Sequence, residues 1–327
     1  MAAIAVGLIG AGKHGQRYAQ HLMRDVPELR LVALSRQDHA RGAEQARALG
    51  CRYHATWRAL VEDAGVEAVV AAVPPSLHPD IAAAAARLRK PLLIEKPLAT
   101  TGAAACEIVR VLRAAAVPCL MAHTLRWNAV VTAMRERLSG LGPLRAVLLN
   151  QRFEPSTLGW LDDPAIAGGG IVLHTGVHSF DLVRWLTGRE IVRVTCRTAR
   201  ASTLRTEDNF LALLELAGSD ALVAVNGSRA TAGRSGLIDV AGAEGQLVGD
   251  HALGWCFAIR GLERTPVPIP EALPTVREVL RAFARLLLAG EAPRTVLEDG
   301  ARSVLVAEAC YRSAAAGSAV EVAPLTV

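Results

Sequence analysis

The segment GAGKHG, residues 10–15, is the clearest structural motif in the first part of the chain. It directly follows an apolar, β-rich run at 4–9 and opens a stretch with helical character at 13–24. A G-x-G-x-x-G motif between a strand and a helix is typical of a dinucleotide-binding turn. The first glycine permits the turn, the second lets the backbone approach a pyrophosphate, and the third lets helix and strand pack closely. An ordinary glycine turn is the alternative. The residues expected to bind the dinucleotide here are Gly10, Ala11, Gly12, Lys13, His14 and Gly15.

Short apolar runs and helical stretches alternate through the first 120 residues or so. Besides 4–9, the predicted strands are 29–34, 68–73, 92–94 and 118–121, and the predicted helices are 13–24, 38–49, 78–89 and 102–115. Strands that alternate with helices pair in parallel through right-handed crossovers. The sequence therefore predicts an α/β fold that begins with a doubly wound, Rossmann-type domain over residues 1–122.

The pattern changes after residue 122, where strand-like runs follow one another. The predicted strands are 144–153, 190–198, 208–216, 220–227, 236–241 and 254–260, and the predicted helices are 126–138, 171–187, 275–289 and 298–315. Turn signals such as Asn226-Gly227 separate several of the strands. This pattern predicts a second, α+β domain over residues 123–327, built on an open, mostly antiparallel sheet.

Composition excludes several function classes. The chain has 36 Lys plus Arg against 31 Asp plus Glu, and its arginines are interleaved with acids, so no basic face for nucleic acid is indicated. The apolar N-terminus lacks the cationic region of a signal peptide, and no run reaches the roughly 18 apolar residues of a membrane helix. Six widely spaced cysteines without a Cys-x-x-Cys pair indicate free thiols in a reducing cytosol. We expect a cytoplasmic protein that binds neither membrane nor nucleic acid.

The end of the second predicted strand indicates which dinucleotide is bound. An NAD site usually carries Asp or Glu about 20 residues after the third glycine, and here Ser35 and Arg36 stand there. A carboxylate would repel a 2′-phosphate, whereas serine and arginine would hydrogen-bond it and balance its charge. We therefore expect NADP, with NAD as the alternative because Asp38 lies close by.

Lysine is scarce, since only three of the 36 basic residues are lysine. One of them, Lys96, lies in Glu95-Lys96-Pro97, directly after a buried strand, and the carboxyl ends of such strands line the ligand crevice. Arginine is a poor replacement where a compact, tunable ammonium touches a reacting oxygen. Lys96 is therefore a candidate catalytic group, and its bond to Pro97 is a candidate cis peptide. Further residues expected to line the cofactor crevice are Val73, Pro74, Pro75, His78 and Glu95.

The run Gly168-Gly169-Gly170 leads into a helix with two histidines. His174, His178 and Asp181 lie at i, i+4 and i+7 and share one helical face. Three interpretations remain open: acid–base chemistry for hydride transfer, a solvated polar face, and a metal site made of two histidines and a carboxylate. We assign no metal ion to the chain and keep metal-assisted oxidoreduction as an alternative.

Four motifs in this order resemble the glucose–fructose oxidoreductase / inositol dehydrogenase (Gfo/Idh/MocA) family over nearly the whole chain. They are the glycine turn at 10–15, the Glu-Lys-Pro at 95–97, the glycine-led helix with His178-x-x-Asp181, and the closing helix at 298–313. The resemblance implies a nicotinamide cofactor and oxidation or reduction at a secondary alcohol or ketone of a sugar or cyclitol. It also implies that the open sheet is a subunit interface, so a homodimer or homotetramer is expected.

The resemblance assigns roles to individual residues. Lys96 carries over as the group that holds the reacting oxygen, and His178 as the general base. The family usually has Asp four residues before that histidine, where this chain has His174. We therefore expect His178 to stay neutral to lower pH than in relatives. We also expect His174 to bind a substrate carboxylate or a different hydroxyl pattern. Asp181 would bind a substrate hydroxyl or orient a neighbour, and the family layout makes pocket walls of Arg126, Asn128 and Trp160.

The missing Asp leaves a second function class open. A dinucleotide-binding protein that has lost catalysis could serve as a redox-linked regulator, because fold alone does not decide function. The presence of both Lys96 and His178 favours the enzyme.

Overall fold

The structure, a computed structural model, describes residues 2–327. Its first sheet has six parallel strands in the spatial order β3-β2-β1-β4-β5-β6. The strands are β1 (Ile4–Ile9), β2 (Leu29–Ser35), β3 (Arg52–His54), β4 (Ala68–Ala71), β5 (Leu92–Glu95) and β6 (Cys119–Ala122). The order reverses between β1 and β4, so the crevice outside their carboxyl ends is the expected ligand site of a doubly wound sheet. The predicted Rossmann-type fold is confirmed.

Helices connect these strands on both faces of the sheet. They are α1 (Gly15–Arg24), α2 (His39–Ala48), α3 (Trp57–Glu62), α4 (His78–Arg87) and α5 (Gly102–Ala114). Side chains cap three of the helix starts: Asp38, Thr56 and Thr101 each accept a hydrogen bond from a backbone N–H in the first turn. Strand β3 and helix α3 were not predicted from the sequence, because both are too short to show a clear hydrophobic period.

The second sheet has nine strands and is antiparallel except where β10 runs parallel to β7. In space the order is β14-β13-β12-β11-β7-β10-β9-β8-β15. The strands are β7 (Leu144–Arg152), β8 (Ile191–Ala199), β9 (Asn209–Leu216), β10 (Ser219–Ser228), β11 (Ser235–Gly242), β12 (Gly245–Asp250), β13 (Trp255–Arg260), β14 (Glu263–Pro266) and β15 (Val320–Glu321). The predicted α+β architecture is confirmed, and β12, β14 and β15 are additions to the predicted strands.

The helices of the second half of the chain pack on one face of this sheet or, as α9 does, against the first sheet. They are α6 (Ala129–Arg135), α7 (Pro164–Ala167), α8 (Val177–Thr187), α9 (Thr275–Ala289) and α10 (Leu297–Ala316), and a π-helical turn, Val172–Gly176, precedes α8. The predicted helix at 126–138 is shorter, because a 3₁₀ turn occupies Thr124–Trp127 and α6 begins only after Asn128. Short 3₁₀ turns also lie at Pro75–Leu77, Leu138–Leu141 and Gly159–Asp162.

Packing connects the two halves of the chain. Val276 and Phe283 of α9 lie in one apolar core with Leu8 of β1 and Tyr18 of α1. The last strand of the first sheet ends at Ala122, and a boundary between residues 122 and 123 stays a prediction. No helix among residues 2–327 is both long and apolar enough to cross a bilayer.

The other face of the nine-stranded sheet is open and apolar at its centre. Leu148 of β7, Leu213 of β9 and Leu222 of β10 alternate with buried neighbours and are 42%, 57% and 77% exposed. A contiguous exposed apolar patch of this kind is typical of an interaction surface.

Candidate active site

The glycine turn has the geometry that a dinucleotide needs. Gly10 has φ +90°, a backbone conformation that favours glycine, and a Cβ on Gly15 would overlap the carbonyl oxygen of Gly10. A Cβ on Gly12, by contrast, would meet no atom within 4 Å. The turn is therefore tight where β1 meets α1 and open at Gly12, where a pyrophosphate would approach the backbone. Lys13 lies exposed beside this opening.

Arg36 joins the end of β2 to the glycine turn. Its Nη1 donates hydrogen bonds to the Ala11 carbonyl and to Oε1 of Gln45, both at 3.2 Å. The nearby carboxylate of Asp38 accepts a hydrogen bond from the Arg41 N–H at 3.1 Å as the N-cap of α2. Ser35 is buried, and its carbonyl accepts hydrogen bonds from the N–H groups of the turn. After β2 the Arg36 guanidinium therefore lies beside the glycine turn, whereas the Asp38 carboxylate caps α2.

Glu95 acts inside the protein, which corrects its predicted contact with the cofactor. The side chain is 4% exposed, and Oε1 accepts hydrogen bonds from His14 Nε2 and the Tyr18 hydroxyl, both at 2.6 Å. Oε2 accepts one from the Lys96 N–H at 2.9 Å. Burial would raise the pKa of Glu95, but His14, Lys96 and these hydrogen bonds lower it to about 2. The Glu95 carboxylate thus connects α1 to the turn that carries Lys96 through hydrogen bonds. The contribution of Tyr18 to these hydrogen bonds was not predicted from the sequence.

Lys96 reaches from the first domain to the glycine-led helix. Its Nζ donates a hydrogen bond to the carbonyl of His174 at 2.9 Å, and its peptide bond to Pro97 is cis. Burial lowers the pKa of Lys96, Glu95 opposes this shift, and Arg229 adds to it. The predicted lysine therefore lies beside the predicted helix, although 78 residues separate the two partners.

His78 is buried below the crevice, which corrects its assignment to the cofactor. It is 0% exposed, and its Nδ1 lies 3.1 Å from the Pro97 carbonyl and 3.0 Å from that of Leu98. Burial lowers the pKa of His78 to about 4, so the ring is neutral and donates to these carbonyls. His78 holds the turn that follows Lys96. Val73 and Pro74 are half-buried in the loop after β4, while Pro75 is buried.

The three glycines at 168–170 allow close approach of the elements around them. A Cβ on Gly169 would overlap the hydroxyl of Tyr311, and one on Gly170 would overlap the carbonyl of Glu207. The Glu207 carboxylate accepts hydrogen bonds from the Gly170 N–H at 3.0 Å, the Val172 N–H at 3.0 Å and the Tyr311 hydroxyl at 2.8 Å. It satisfies the N–H groups that a helix start leaves unpaired.

His174 lies in the π-helical turn, a feature that occurs frequently at functional sites. Its Nε2 lies 3.0 Å from the Ala167 carbonyl, and its ring packs in a T-shaped arrangement with that of Trp160, with 5.5 Å between the ring centroids. Burial and the cations of Lys96 and Arg229 lower the pKa of His174 to about 3. The ring is thus neutral, with its proton on Nε2 toward Ala167.

His178 is half-buried one turn later and lies among cationic and neutral groups. Burial lowers its pKa well below the usual value, and Lys96, His123, His251 and His14 add to this. Its Nδ1 is buried without a hydrogen-bond partner in the described part of the chain, and its ring centroid lies 6.2 Å from that of His123. The direction of the shift agrees with the expectation of a neutral His178. The comparison with relatives stays a prediction.

Asp181 and Arg126 bind each other, which corrects their predicted contact with substrate. The carboxylate accepts hydrogen bonds from Arg126 Nη2 at 2.6 Å and Nε at 2.9 Å, and the two residues are 1% and 5% exposed. Arg126 also lies 3.1 Å from Asp299 and donates to the Arg294 carbonyl at 2.7 Å. Of the two roles considered for Asp181, orienting a neighbour fits this geometry.

The metal interpretation of His174, His178 and Asp181 is contradicted by the same geometry. The Asp181 carboxylate is paired with Arg126, and His174 Nε2 is used by the Ala167 carbonyl. Within residues 2–327 no group of three or more His, Cys, Asp or Glu side chains is placed to hold a metal ion.

Asn128 is a helix cap, which corrects its assignment as a pocket wall. Its Oδ1 accepts hydrogen bonds from the N–H groups of Val130 and Val131 at 3.0 and 3.3 Å, and its Nδ2 donates to the His251 carbonyl at 3.1 Å. Sequence reasoning missed His123, Arg229 and His251, because none of the three belongs to a motif. The structure places all of them near the two histidines of the glycine-led helix.

Fold and site together define a nicotinamide-dependent oxidoreductase built from a Rossmann domain and an α+β domain. The model of the oxidoreductase family with an NAD-binding Rossmann fold matches residues 4–123, and that of the GFO/IDH/MocA C-terminal domain matches residues 140–248. Inositol 2-dehydrogenase 2 of Saccharopolyspora erythraea is 32% identical over 98% of this chain and 96% of its own length. The chain belongs to the Gfo/Idh/MocA oxidoreductase family.

Solved structures with the same fold bear out the architecture. The crystal structure of GenD2 from gentamicin A biosynthesis in complex with NAD is 25% identical and covers 99% of this chain and 97% of its own, with a TM-score of 0.89. Levoglucosan dehydrogenase in complex with NADH and levoglucosan is 22% identical and covers 98% of this chain and 100% of its own, with a TM-score of 0.88. The second likeness shows the fold alone.

Proposed function

We propose that this chain is an NADP-preferring dehydrogenase that acts on a secondary alcohol of a sugar, cyclitol or related polyol. The observation that carries the proposal is the contact between Lys96 Nζ and the His174 carbonyl, one turn before His178. It joins a lysine at the carboxyl end of a parallel strand to a neutral histidine on the second domain. A positioned cation and a base are the two groups that alcohol oxidation requires.

The bound nicotinamide would supply the acceptor for the hydride. His178, neutral because burial and Lys96 lower its pKa, would accept the proton of the substrate hydroxyl. Lys96 would donate a hydrogen bond to the same oxygen and favour its anionic form, and the lowered pKa of Lys96 strengthens it as a donor and acid. In the direction of reduction His178 would return the proton.

The polyol class is supported by the relatives. Inositol 2-dehydrogenase 1 and 2 of Saccharopolyspora erythraea are 31% and 32% identical to this chain over 98% of its length. Both proteins are named as dehydrogenases of inositol, a cyclitol.

NADP preference rests on Arg36. Its guanidinium lies between the end of β2 and the glycine turn, where the adenosine ribose of a dinucleotide binds in this fold. The carboxylate of Asp38, two residues later in the chain, accepts a hydrogen bond from the Arg41 N–H as the cap of α2. Arg36→Gln should raise the KM for NADP about 10- to 100-fold, the loss expected for hydrogen bonds to a charged group. The KM for NAD should change little, and Arg47→Gln, at an exposed arginine of α2, is the control. Wild-type protein with a clear preference for NAD would contradict the proposal.

Turnover tests the activity itself. A panel of cyclitols, sugars and sugar acids with NADP, followed by nicotinamide absorbance, should show oxidation by wild type. Lys96→Met and His178→Asn should each lower kcat by about 100-fold or more, which is typical for loss of a general base or an oxyanion donor. Tight NADPH binding without turnover on any substrate would favour the regulator instead.

We also propose that the open sheet face forms the interface of a homodimer or homotetramer. The exposed Leu148, Leu213 and Leu222 lie on adjacent strands, since β10 pairs with both β7 and β9. A cytosolic location fits the six free cysteines, because a reducing compartment keeps thiols unpaired.

A further inference from the structure

A second cation lies beside the reaction centre and has no role in the chemistry above. Arg229 follows β10 directly, and its Nη2 donates a hydrogen bond to the Thr175 hydroxyl at 3.1 Å. Lys96 donates to the carbonyl of the preceding residue, His174. Two basic side chains from different domains therefore bind consecutive residues of the π-helical turn.

Both cations lack an anionic partner. Among residues 2–327 no carboxylate oxygen lies within 4.0 Å of either the Lys96 ammonium or the Arg229 guanidinium. Arg229 is half-buried, and burial lowers its pKa even though Glu207 and Asp208 oppose that shift. A buried charge without a partner is costly, and an anionic ligand would supply the missing counter-ion.

The two acidic residues that act on the pKa of Arg229, Glu207 and Asp208, already accept hydrogen bonds from other groups. Glu207 accepts hydrogen bonds from two N–H groups at the start of the glycine-led helix and from Tyr311. Asp208 accepts hydrogen bonds from the N–H groups of residues 201–203 at 2.6–3.0 Å and from the Ser202 hydroxyl. Burial raises the pKa of Glu207, which weakens it further as a counter-ion. The remaining polar groups of the turn, His174 and Thr175, are neutral acceptors or donors.

We propose that the substrate is a polyhydroxylated carboxylate, a sugar acid, whose carboxylate Arg229 binds while Lys96 holds the reacting oxygen. This inference rests on the proposed function and narrows its substrate class. A guanidinium matches a carboxylate with two parallel hydrogen bonds, and a carboxylate is the counter-ion that this site lacks. His174 is neutral, so this part of the turn carries no negative charge that would repel a carboxylate.

Matched substrates test the inference on wild-type protein. Glucuronate and glucose differ by one carboxylate, and glucose 6-phosphate supplies a different anion. We expect a kcat/KM for glucuronate about 10- to 100-fold above that for glucose, the size of a charge-assisted contact. A preference for glucose would overturn the proposal, and a preference for glucose 6-phosphate over glucuronate would overturn the carboxylate assignment.

Variants of Arg229 distinguish a role in substrate recognition from a role in folding. Arg229→Gln should lower kcat/KM for glucuronate about 10- to 100-fold more than it lowers kcat/KM for glucose, so that the preference for the acid is lost, and Arg229→Lys should restore part of that preference. Arg234→Gln is the control, because Arg234 lies in the same loop but is exposed and paired with Glu154. Equal losses on both substrates in Arg229→Gln would overturn the proposal.

A binding measurement keeps the inference distinct from the proposed function. Calorimetric titration of glucuronate into NADPH-loaded protein should show binding that Arg229→Gln abolishes, whether or not any substrate is turned over. Glucuronate binding that is absent in wild type, or unchanged in Arg229→Gln, would overturn it. Absence of turnover together with Arg229-dependent binding would count against the oxidoreductase proposal alone.

Discussion

Replacing Asp181 by alanine tests whether this residue supports the fold or binds substrate. Its carboxylate accepts two charge-assisted hydrogen bonds from Arg126, at 2.6 and 2.9 Å, in a region where the two residues are 1% and 5% exposed. Such bonds contribute about 1.5–3 kcal/mol each. Arg126 keeps its contacts with Asp299 and the Arg294 carbonyl, which offset part of the loss. We expect the free energy of unfolding to fall by about 3–4 kcal/mol, within the roughly 3–5 kcal/mol typical of breaking a buried pair.

Urea unfolding at neutral pH measures this loss, and an exposed pair provides the control. Arg58 and Asp80 form an ion pair at 2.9 Å, but their side chains are 63% and 62% exposed. Asp80→Ala should therefore cost less than about 1 kcal/mol. If Asp181→Ala were as stable as wild type and only raised the KM for substrate, the structural role would be refuted and the substrate contact restored.

Three further predictions concern the glycine turn, a buried histidine and the open sheet. Gly12→Ala should leave stability unchanged but weaken cofactor binding, whereas Gly15→Ala should destabilise the fold, because the new Cβ would overlap the Gly10 carbonyl. Thermal melts and dinucleotide titrations measure the two effects, and the reverse pattern would contradict this prediction. The pKa of His78 is about 4 in the folded protein and about 6.5 in the unfolded chain, so the unfolded chain binds more protons between these values and stability falls as the pH is lowered. From pH 7.5 to 5 this one group should lower the free energy of unfolding by about 2 kcal/mol. Urea unfolding should therefore show a flatter pH dependence in His78→Gln than in wild type. Leu222→Lys should reduce the molar mass in light scattering toward that of one chain if the open face is the subunit interface, and an unchanged mass would argue against it.

The fold was predictable because its signals are local. The glycine turn, the alternation of short strands with helices and the later run of strands each depend on neighbours within about 20 residues. The position of Lys96 followed from the same logic, since a residue directly after a buried parallel strand must lie at the crevice. Strands as short as β3 carry no such signal and were missed.

Side-chain partners were not predictable, because they come from distant parts of the chain. Glu95 and Asp181 were predicted to contact the cofactor and the substrate, but their carboxylates accept hydrogen bonds from Tyr18 and Arg126, which lie 77 and 55 residues away in sequence. The prediction that His174, His178 and Asp181 share one helical face assumed a regular α-helix. In the structure a π-helical turn, Val172–Gly176, interrupts that helix. Arg229 lies in a loop without any motif, so only the structure shows that it reaches Thr175.

A single-turnover measurement of hydride transfer isolates the step in which His178 would act as the base. Protein in excess would be mixed rapidly with NADP and a substrate identified from the panel, and nicotinamide absorbance followed in wild type, His178→Asn and the surface control Arg47→Gln. We predict that His178→Asn slows the transfer by about 100-fold or more with cofactor binding unchanged, and that the control matches wild type. Hydride transfer at the wild-type rate in His178→Asn would contradict the assignment of His178 as the base.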